Sequence, residues 1–294
     1  MSELLALSFE DKIKHAKKQI TQFYELFDGQ VYVSFSGGKD STVLLHLIRS
    51  LYPDVLAVFA NTGVEFPELI KQILKTDNRK VLPCSMRFDQ IIEKYGYPVV
   101  SKVQAGYIHD YRTTKSEYFR SVRWNGKNGG AFKISEKWKF LVNAPFKISN
   151  ACCGILKKHP MYKFNKQTQL RPFIGTKAND SRVRMKVYRQ YGCNIYTTAF
   201  QERSMPLSPW TDEDVWHYIK LNNLEVPTCY KYMKATGCMY CLFGIQFRGL
   251  EQFDFLQQYH PKIYDYAVNK LKLLDVANYV LNKEKMKDLR KVFE

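Results

Sequence analysis

The stretch QVYVSFSGGKDSTVLLHLIRSLY, residues 30–52, constrains the fold more than any other part of the chain. A short β-branched and aromatic run is followed by Ser36-Gly37-Gly38-Lys39-Asp40-Ser41 and then by apolar residues at helical spacing. That pattern predicts a buried strand, a tight turn and a helix. So short a turn aims the free N–H groups of the helix's first turn, and its dipole, at one point that attracts anions. Gly37 and Gly38 let the backbone approach phosphate oxygens closely, and Ser36 and Ser41 add hydroxyl donors. Asp40 is the odd member, because its carboxylate repels phosphate unless a metal ion or a turn-stabilising bond uses it. A role in Mg²⁺ handling or in holding the loop is expected.

The rhythm repeats downstream. DVLAVFAN and RKVLPCSM read as strands, and PELIKQILKTD as a helix with proline in its first turn. Strands alternating with helices need crossover connections, so a doubly wound, mostly parallel α/β sheet with helices on both faces is expected. Ahead of it, residues 8–27 predict an amphipathic helix, capped by Ser8 with Asp11 at the box position. Further on, LRPFIGT and CNIYTTAF read as strands. NDSRVRMKVYRQY and TDEDVWHYIKLNN read as helices, the second capped by Thr211 with Asp214 in the box. The expected organisation is an N-terminal helix over 1–29, a nucleotide-binding domain over 30–248, and a basic helical extension over 249–294.

Between Gln104 and Ile148 the rhythm lapses. Nine Lys/Arg stand there against three acids, interleaved with nine aromatics. The stretch reads as a basic aromatic insertion, with a lid as its candidate role. Arg112, Lys115, Arg120 and Arg123 suit a phosphate backbone, and Tyr107, Tyr111, Tyr118 and Trp124 suit stacking on bases. The alternative is that these aromatics pack beneath a lid whose lysines are merely solvated. The chain of 294 residues carries 45 Lys+Arg against 28 Asp+Glu, a net charge of +17. A polyanionic partner such as nucleic acid, reached through the insertion and the C-terminus, fits that balance; so does a nucleotide enzyme with a lysine-rich surface. No apolar stretch is long enough to span a membrane and no secretory leader is evident, so a cytoplasmic protein is expected.

Seven cysteines without an export signal argue for metal or redox chemistry over disulfides. Cys152 and Cys153 are adjacent, and Cys238 and Cys241 form a C-x-x-C. Zinc sites usually take two spaced pairs. Adjacent thiolates point at different atoms of a larger target, which makes an iron–sulfur cluster the natural reading, with zinc or unmetallated thiols as alternatives. Cys84 and Cys193, at strand ends, suit buried packing; Cys229 is the best candidate for a free reactive thiol, although a structural role is favoured for it too.

The loop does not fit the familiar nucleotide motifs. Val33 stands where a Walker loop needs its first glycine, Asp40 follows the lysine, and G-x-G-x-x-G is absent. S-G-G-K-D-S after a strand instead resembles the pyrophosphate loop of the adenine nucleotide α-hydrolase superfamily. The wider resemblance is to the phosphoadenosine phosphosulfate (PAPS) reductase family, especially its phage and mobile-element members. FANTGVEFPELI, with Asn61, Thr62 and Gly63, resembles the segment after that family's second strand, where many members have Asp at position 61. GTKANDSRVR, with Gly175, Lys177, Ser181 and Arg184, resembles its phosphate-binding G-[TI]-R-x-x-E-S-x-x-R, with Lys177 for Arg and Asp180 for Glu. PLSPWTDEDVWHYI resembles its W-[TS]-x-x-D-V-W helix start. The resemblance runs over about 30–265 and is weakest in the insertion.

The resemblance implies an adenine nucleotide bound on these residues, and a 4Fe–4S cluster on Cys152, Cys153, Cys238 and Cys241 with Lys157 or Lys158 compensating its charge. It also exposes a departure. Reductases of this family attack with a cysteine in a C-terminal E-C-G-[LI]-H, and no cysteine follows Cys241 here. In that respect the chain resembles the ATP pyrophosphatases of DNA phosphorothioation systems. The leading expectation is therefore an ATP pyrophosphatase that cleaves between the α- and β-phosphates. Ser36–Ser41 would hold pyrophosphate, Lys39, Asp40 and Arg184 would act in catalysis, and Mg²⁺ would screen the phosphates, with sulfur transfer or nucleic-acid modification downstream. Such chemistry implies a sulfur donor or a redox protein as partner. The alternatives are a PAPS or adenosine phosphosulfate reductase using Cys229 or a partner's thiol, and a nucleotide- or DNA-binding component without turnover.

Overall fold

The computed structural model describes residues 7–127, 130–197 and 202–281. The chain divides into two units: Met1–Asn61, Phe66–Pro83 and Met161–Lys231 form the first, and Thr62–Glu65, Cys84–Pro160 and Tyr232–Glu294 the second. Its strands are β1 (Val31–Ser34), β2 (Leu56–Asn61), β3 (Arg79–Pro83), β4 (Val99–Val100), β5 (Arg171–Ile174), β6 (Asn194–Ile195), β7 (Arg203–Ser204) and β8 (Leu242–Phe243).

The first unit is the α/β sheet that the rhythm predicts. Its six strands run in the order β3-β2-β1-β5-β7-β6, parallel except for the β6–β7 pair. The chain leaves β1 toward β2 and β3, then returns to place β5 on the other side of β1. That reversal makes a topological switch point between β1 and β5, and ligands of such sheets bind in the crevice beyond the strands' C-terminal ends. The 36–41 loop leaves β1 there, and Gly175–Lys177 leaves β5 beside it.

Local signals set the surrounding helices. Phe9–Leu26 is capped by Ser8, whose hydroxyl oxygen accepts from the Asp11 N–H, and it buries Ala16, Ile20 and Phe23 in the core. Phe23 meets Phe173 of β5 edge-on at 5.1 Å. Asp212–Leu221 begins with the expected capping box of Thr211 and Asp214. The Asp214 carboxylate also accepts from buried Lys12 at 2.7 Å, tying these two helices together. CNIYTTAF forms a strand only over Asn194–Ile195; Tyr196 and Thr197 lie outside it, and residues 198–200 fall outside the described residues.

The second unit pairs β4 with β8 and is otherwise helical. The insertion is more regular than its composition suggests. Helices Lys102–Thr113 and Glu117–Asn125 are capped by Ser101 and Ser116, and a 3₁₀ stretch covers Glu136–Asn143. Three of its four singled-out cations serve the fold, Arg120 by donating to the Thr114 carbonyl at 2.8 Å. Arg112 donates to the Phe146 carbonyl at 2.7 Å. Arg123 pairs with Asp110 at 2.8 Å and lies over the rings of Tyr107 and Phe119. Trp124 packs against Tyr111, with Lys139 over its ring. Helices Glu251–Tyr259 and Leu273–Leu281 bear out the helical reading after Gly249, and the segment from 282 onward lies outside the described residues. No helix among the described residues is long and apolar enough to cross a membrane.

Candidate functional site

The 36–41 loop folds as a self-bonded cradle. The Ser36 N–H donates to Ser41 Oγ at 3.2 Å, the two hydroxyls are 3.0 Å apart, and Ser41 Oγ donates to the Gly38 carbonyl at 2.9 Å. Gly37 has φ of +72°, and a Cβ there would stand 2.8 Å from the Leu69 carbonyl oxygen. Any side chain would therefore be both strained and obstructed. Gly175 answers the same need from β5, since a Cβ there would come 3.1 Å from the Asp40 carbonyl oxygen. Helix Lys39–Arg49 starts at Gly38 without a side-chain cap. Its first N–H, on Lys39, instead donates at 3.0 Å to the hydroxyl of Tyr230.

Two buried lysines meet three carboxylates beside the cradle. Lys39 Nζ lies 2.7 Å from Asp212 and 3.2 Å from Asp40. Lys177 Nζ lies 2.6 Å from Asp40 and 3.1 Å from both Asp180 and Asp212. Burial alone would pull the Lys177 ammonium below its ordinary range, but Asp40 and Asp180 hold it above. Burial likewise opposes ionisation of Asp212, and hydrogen bonds from Lys39 and Lys177 outweigh it, so its carboxyl sits below the usual range. Asp40 thus holds the loop's cations together. Asp180 also binds Arg184, whose side chain is half-exposed. Ser181 caps helix Arg182–Tyr191 by accepting from the Arg184 N–H.

Of the residues singled out in the sequence, Ser36–Ser41, Gly175, Lys177, Ser181 and Arg184 all belong to the first unit, at the ends of β1 and β5. Asn61 ends β2. Thr62 and Gly63 belong to the second unit, where the Thr62 N–H and hydroxyl both donate to Glu65. Asp212 and Tyr230 escaped the sequence reading. The acidic start of the Asp212 helix was legible only as a cap, and nothing local marks Tyr230.

The four paired cysteines line one cavity in the second unit, with Val64, Phe88, Pro98, Leu156 and Lys157. The Cys238–Cys241 turn is fixed by three bonds. The Cys241 N–H donates to the Cys238 carbonyl, the Met239 N–H to the Val64 carbonyl, and Gln252 Nε2 to the Cys241 carbonyl. A shared hydrogen bond splits the adjacent pair, lowering Cys153 and raising Cys152. Lys102 and Lys157 favour the Cys153 thiolate further. Burial pushes Cys238 up to about 11, against the pull of Lys157. Among the described residues, no group of three or more His, Cys, Asp or Glu is arranged to hold a metal ion. Cys229 is fully buried, and burial with Glu68 nearby pushes it up to about 12, which favours the structural role over the reactive one. Cys193 is buried, as expected, whereas Cys84 is only half-buried because it lies just past the end of β3.

The sequence profile of the phosphoadenosine phosphosulfate reductase domain matches residues 30–117 and 125–242. The one internal gap of the match, 118–124, falls inside the insertion, where the resemblance is weakest. An uncharacterised protein of Methanocaldococcus jannaschii is 24% identical, over 97% of this chain and 62% of its own length. Subunit 2 of the sulfate adenylyltransferase of Salmonella arizonae is 26% identical, over 67% of this chain and 58% of its own. The chain thus spans less than two thirds of either relative. Among solved structures, the PAPS reductase of Candida auris in its phosphate complex aligns with a TM-score of 0.44 at 14% identity, covering 79% of this chain and 96% of that one. With the profile running from the glycine loop through both cysteine pairs, the chain belongs to the phosphoadenosine phosphosulfate reductase domain family.

Proposed function

We propose that this nucleotide-binding family member is an ATP pyrophosphatase: it binds ATP with its β- and γ-phosphates on Ser36–Ser41 and cleaves between the α- and β-phosphates. The observation that carries the reading is the pairing of the cradle with two buried ammonium groups, Lys39 and Lys177, at the switch point of the sheet. Backbone donors and fixed cations in a desolvated crevice stabilise the charge that develops as pyrophosphate leaves. Arg184, half-exposed, is the cation able to turn toward an incoming phosphate, and Mg²⁺ would accompany ATP as its usual counter-ion. The adenylylated product would serve sulfur transfer or nucleic-acid modification.

In this reading Cys152, Cys153, Cys238 and Cys241 would hold a 4Fe–4S cluster. The donor set fits, since the ionisable groups lining the cavity are four thiols and one lysine, without a carboxylate or imidazole. Two pairs of thiols on one cavity match the four cysteine ligands that such a cluster takes. Such a cluster would supply thiophilic iron for sulfur chemistry, with Lys157 offsetting its negative charge. The burial of Cys229 leaves a reductase reading dependent on a thiol from a partner protein. Anaerobically purified protein should release pyrophosphate and AMP or an adenylylated acceptor from ATP. Release of orthophosphate, or of sulfite from PAPS with thioredoxin, would sink the reading.

A further inference from the structure

Helix Arg182–Tyr191 carries four cations and no carboxylate. Arg184 is paired with Asp180 beside the nucleotide cradle. Arg182, Lys186 and Arg189 are placed differently: they follow one another at i, i+4 and i+7, on one face of the helix. With Ser181, Asn179 and Met185 they line an open groove of about 440 Å³ that no Asp or Glu lines. All three are exposed, and among the described residues none has an ion pair. Other cations of this unit, such as Lys12 and Arg171, are matched to Asp214 and Glu202.

Three like charges within ~10 Å of helix repel one another and contribute nothing to folding. A partner with regularly spaced negative charge relieves that repulsion. We propose that this face docks the phosphate backbone of a single-stranded nucleic acid, with successive phosphates on Arg182, Lys186 and Arg189. The steps along the helix, ~6 Å and ~5 Å, suit a repeating phosphate better than the irregular carboxylates of an acidic protein. The two guanidinium groups grip phosphate oxygens at two points each. A membrane surface would need an apolar flank, and the groove offers only Ala178 and Met185. The net charge of +17 adds long-range attraction. Apart from Ser181, none of these residues is assigned to the nucleotide, and the surface lies outside the insertion, where Arg112 and Arg123 are already engaged.

The test is fluorescence anisotropy of the full chain with a short labelled single-stranded RNA, and with DNA of the same sequence, over a salt series. Lys186→Gln/Arg189→Gln should flatten the log–log salt slope by about 1.4, roughly 0.7 per lost contact, and weaken binding at every salt concentration. The pair Lys163→Gln/Lys166→Gln, exposed lysines in the same unit, removes equal charge and should leave the slope near the parent's. A thermal-shift response to ATP that survives in both variants separates this surface from the nucleotide site. An unchanged slope in the first variant, equal flattening in both, or competition by polyglutamate as strong as by RNA would overturn the proposal. A preference between RNA and DNA identifies which strand the groove serves, and binding to neither overturns it.

Discussion

Lys177 Nζ lies 2.6 Å from Asp40 Oδ1, and the same ammonium reaches Asp180 and Asp212 at 3.1 Å each. A buried point charge serves carboxylates in three directions, which a planar guanidinium cannot do without pushing the β5 loop aside. Lys177→Arg restores the residue the resembled motif carries, yet it should destabilise the protein. About 1–3 kcal/mol is expected from overpacking, read from urea midpoints. An arginine variant as stable as the parent would mean that the three carboxylates are free to re-sort.

Tyr230 supplies the acceptor for the Lys39 N–H, the donor a phosphate oxygen would use on binding. Tyr230→Phe removes that acceptor from the ligand-free protein and should lower its stability by about 1 kcal/mol. If phosphate replaces the phenol, the variant binds ATP more tightly, by roughly fivefold for the same 1 kcal/mol. Isothermal titration with a non-hydrolysable ATP analogue checks this. Weaker binding would make Tyr230 a phosphate ligand in its own right.

What could be read in advance was whatever the chain encodes locally. Ser8, Ser181 and Thr211 cap the helices their sequences announce, and the glycine loop announces its own turn. The insertion hid its helices because its aromatics and cations form no single apolar stripe; Ser101, with Gln104 three residues on, was the available signal. Contacts between residues far apart in the chain were illegible. Asp212 reaches Lys39 across 173 positions and Tyr230 across 191, and only the order of strands brings them together. The gathering of two cysteine pairs on one cavity was anticipated from resemblance, whereas VPTCYKYM, without periodicity, left Cys229 open between a structural and a reactive thiol until its burial was seen.

Lys12 and Asp214 form an ion pair at 2.7 Å, with side chains only 6% and 14% exposed. Burial alone would raise the Asp214 carboxyl, but the hydrogen bond from Lys12 prevails and holds it below its ordinary value. Its folded pKa is depressed, so its stabilisation is present above the unfolded value near 3.8 and is lost as pH falls through the folded one. Lys12→Met should cost about 3–5 kcal/mol at neutral pH by stranding the carboxylate. The same variant should lose less on acidification below pH ~4 than the parent does. Urea titrations at neutral and acid pH measure both; a parallel acid response would remove Asp214 as the titrating partner.

Cys229 and Cys193 are each pushed up to about 12 by burial, against 9.0 for an ordinary thiol. A folded pKa raised above the unfolded one stabilises fully below the unfolded value and is lost as pH rises through the folded value. Stability should therefore fall between pH 9 and 12, and Cys193→Ala/Cys229→Ala should flatten that fall while costing stability at pH 7 through lost packing. Native protein treated with iodoacetamide at pH 8 should keep both thiols unmodified, while unfolded protein should be labelled at both. Mass spectrometry of tryptic peptides reads the pattern. Rapid native labelling of Cys229 would show that its burial is breached in solution and would return it to candidacy as a nucleophile.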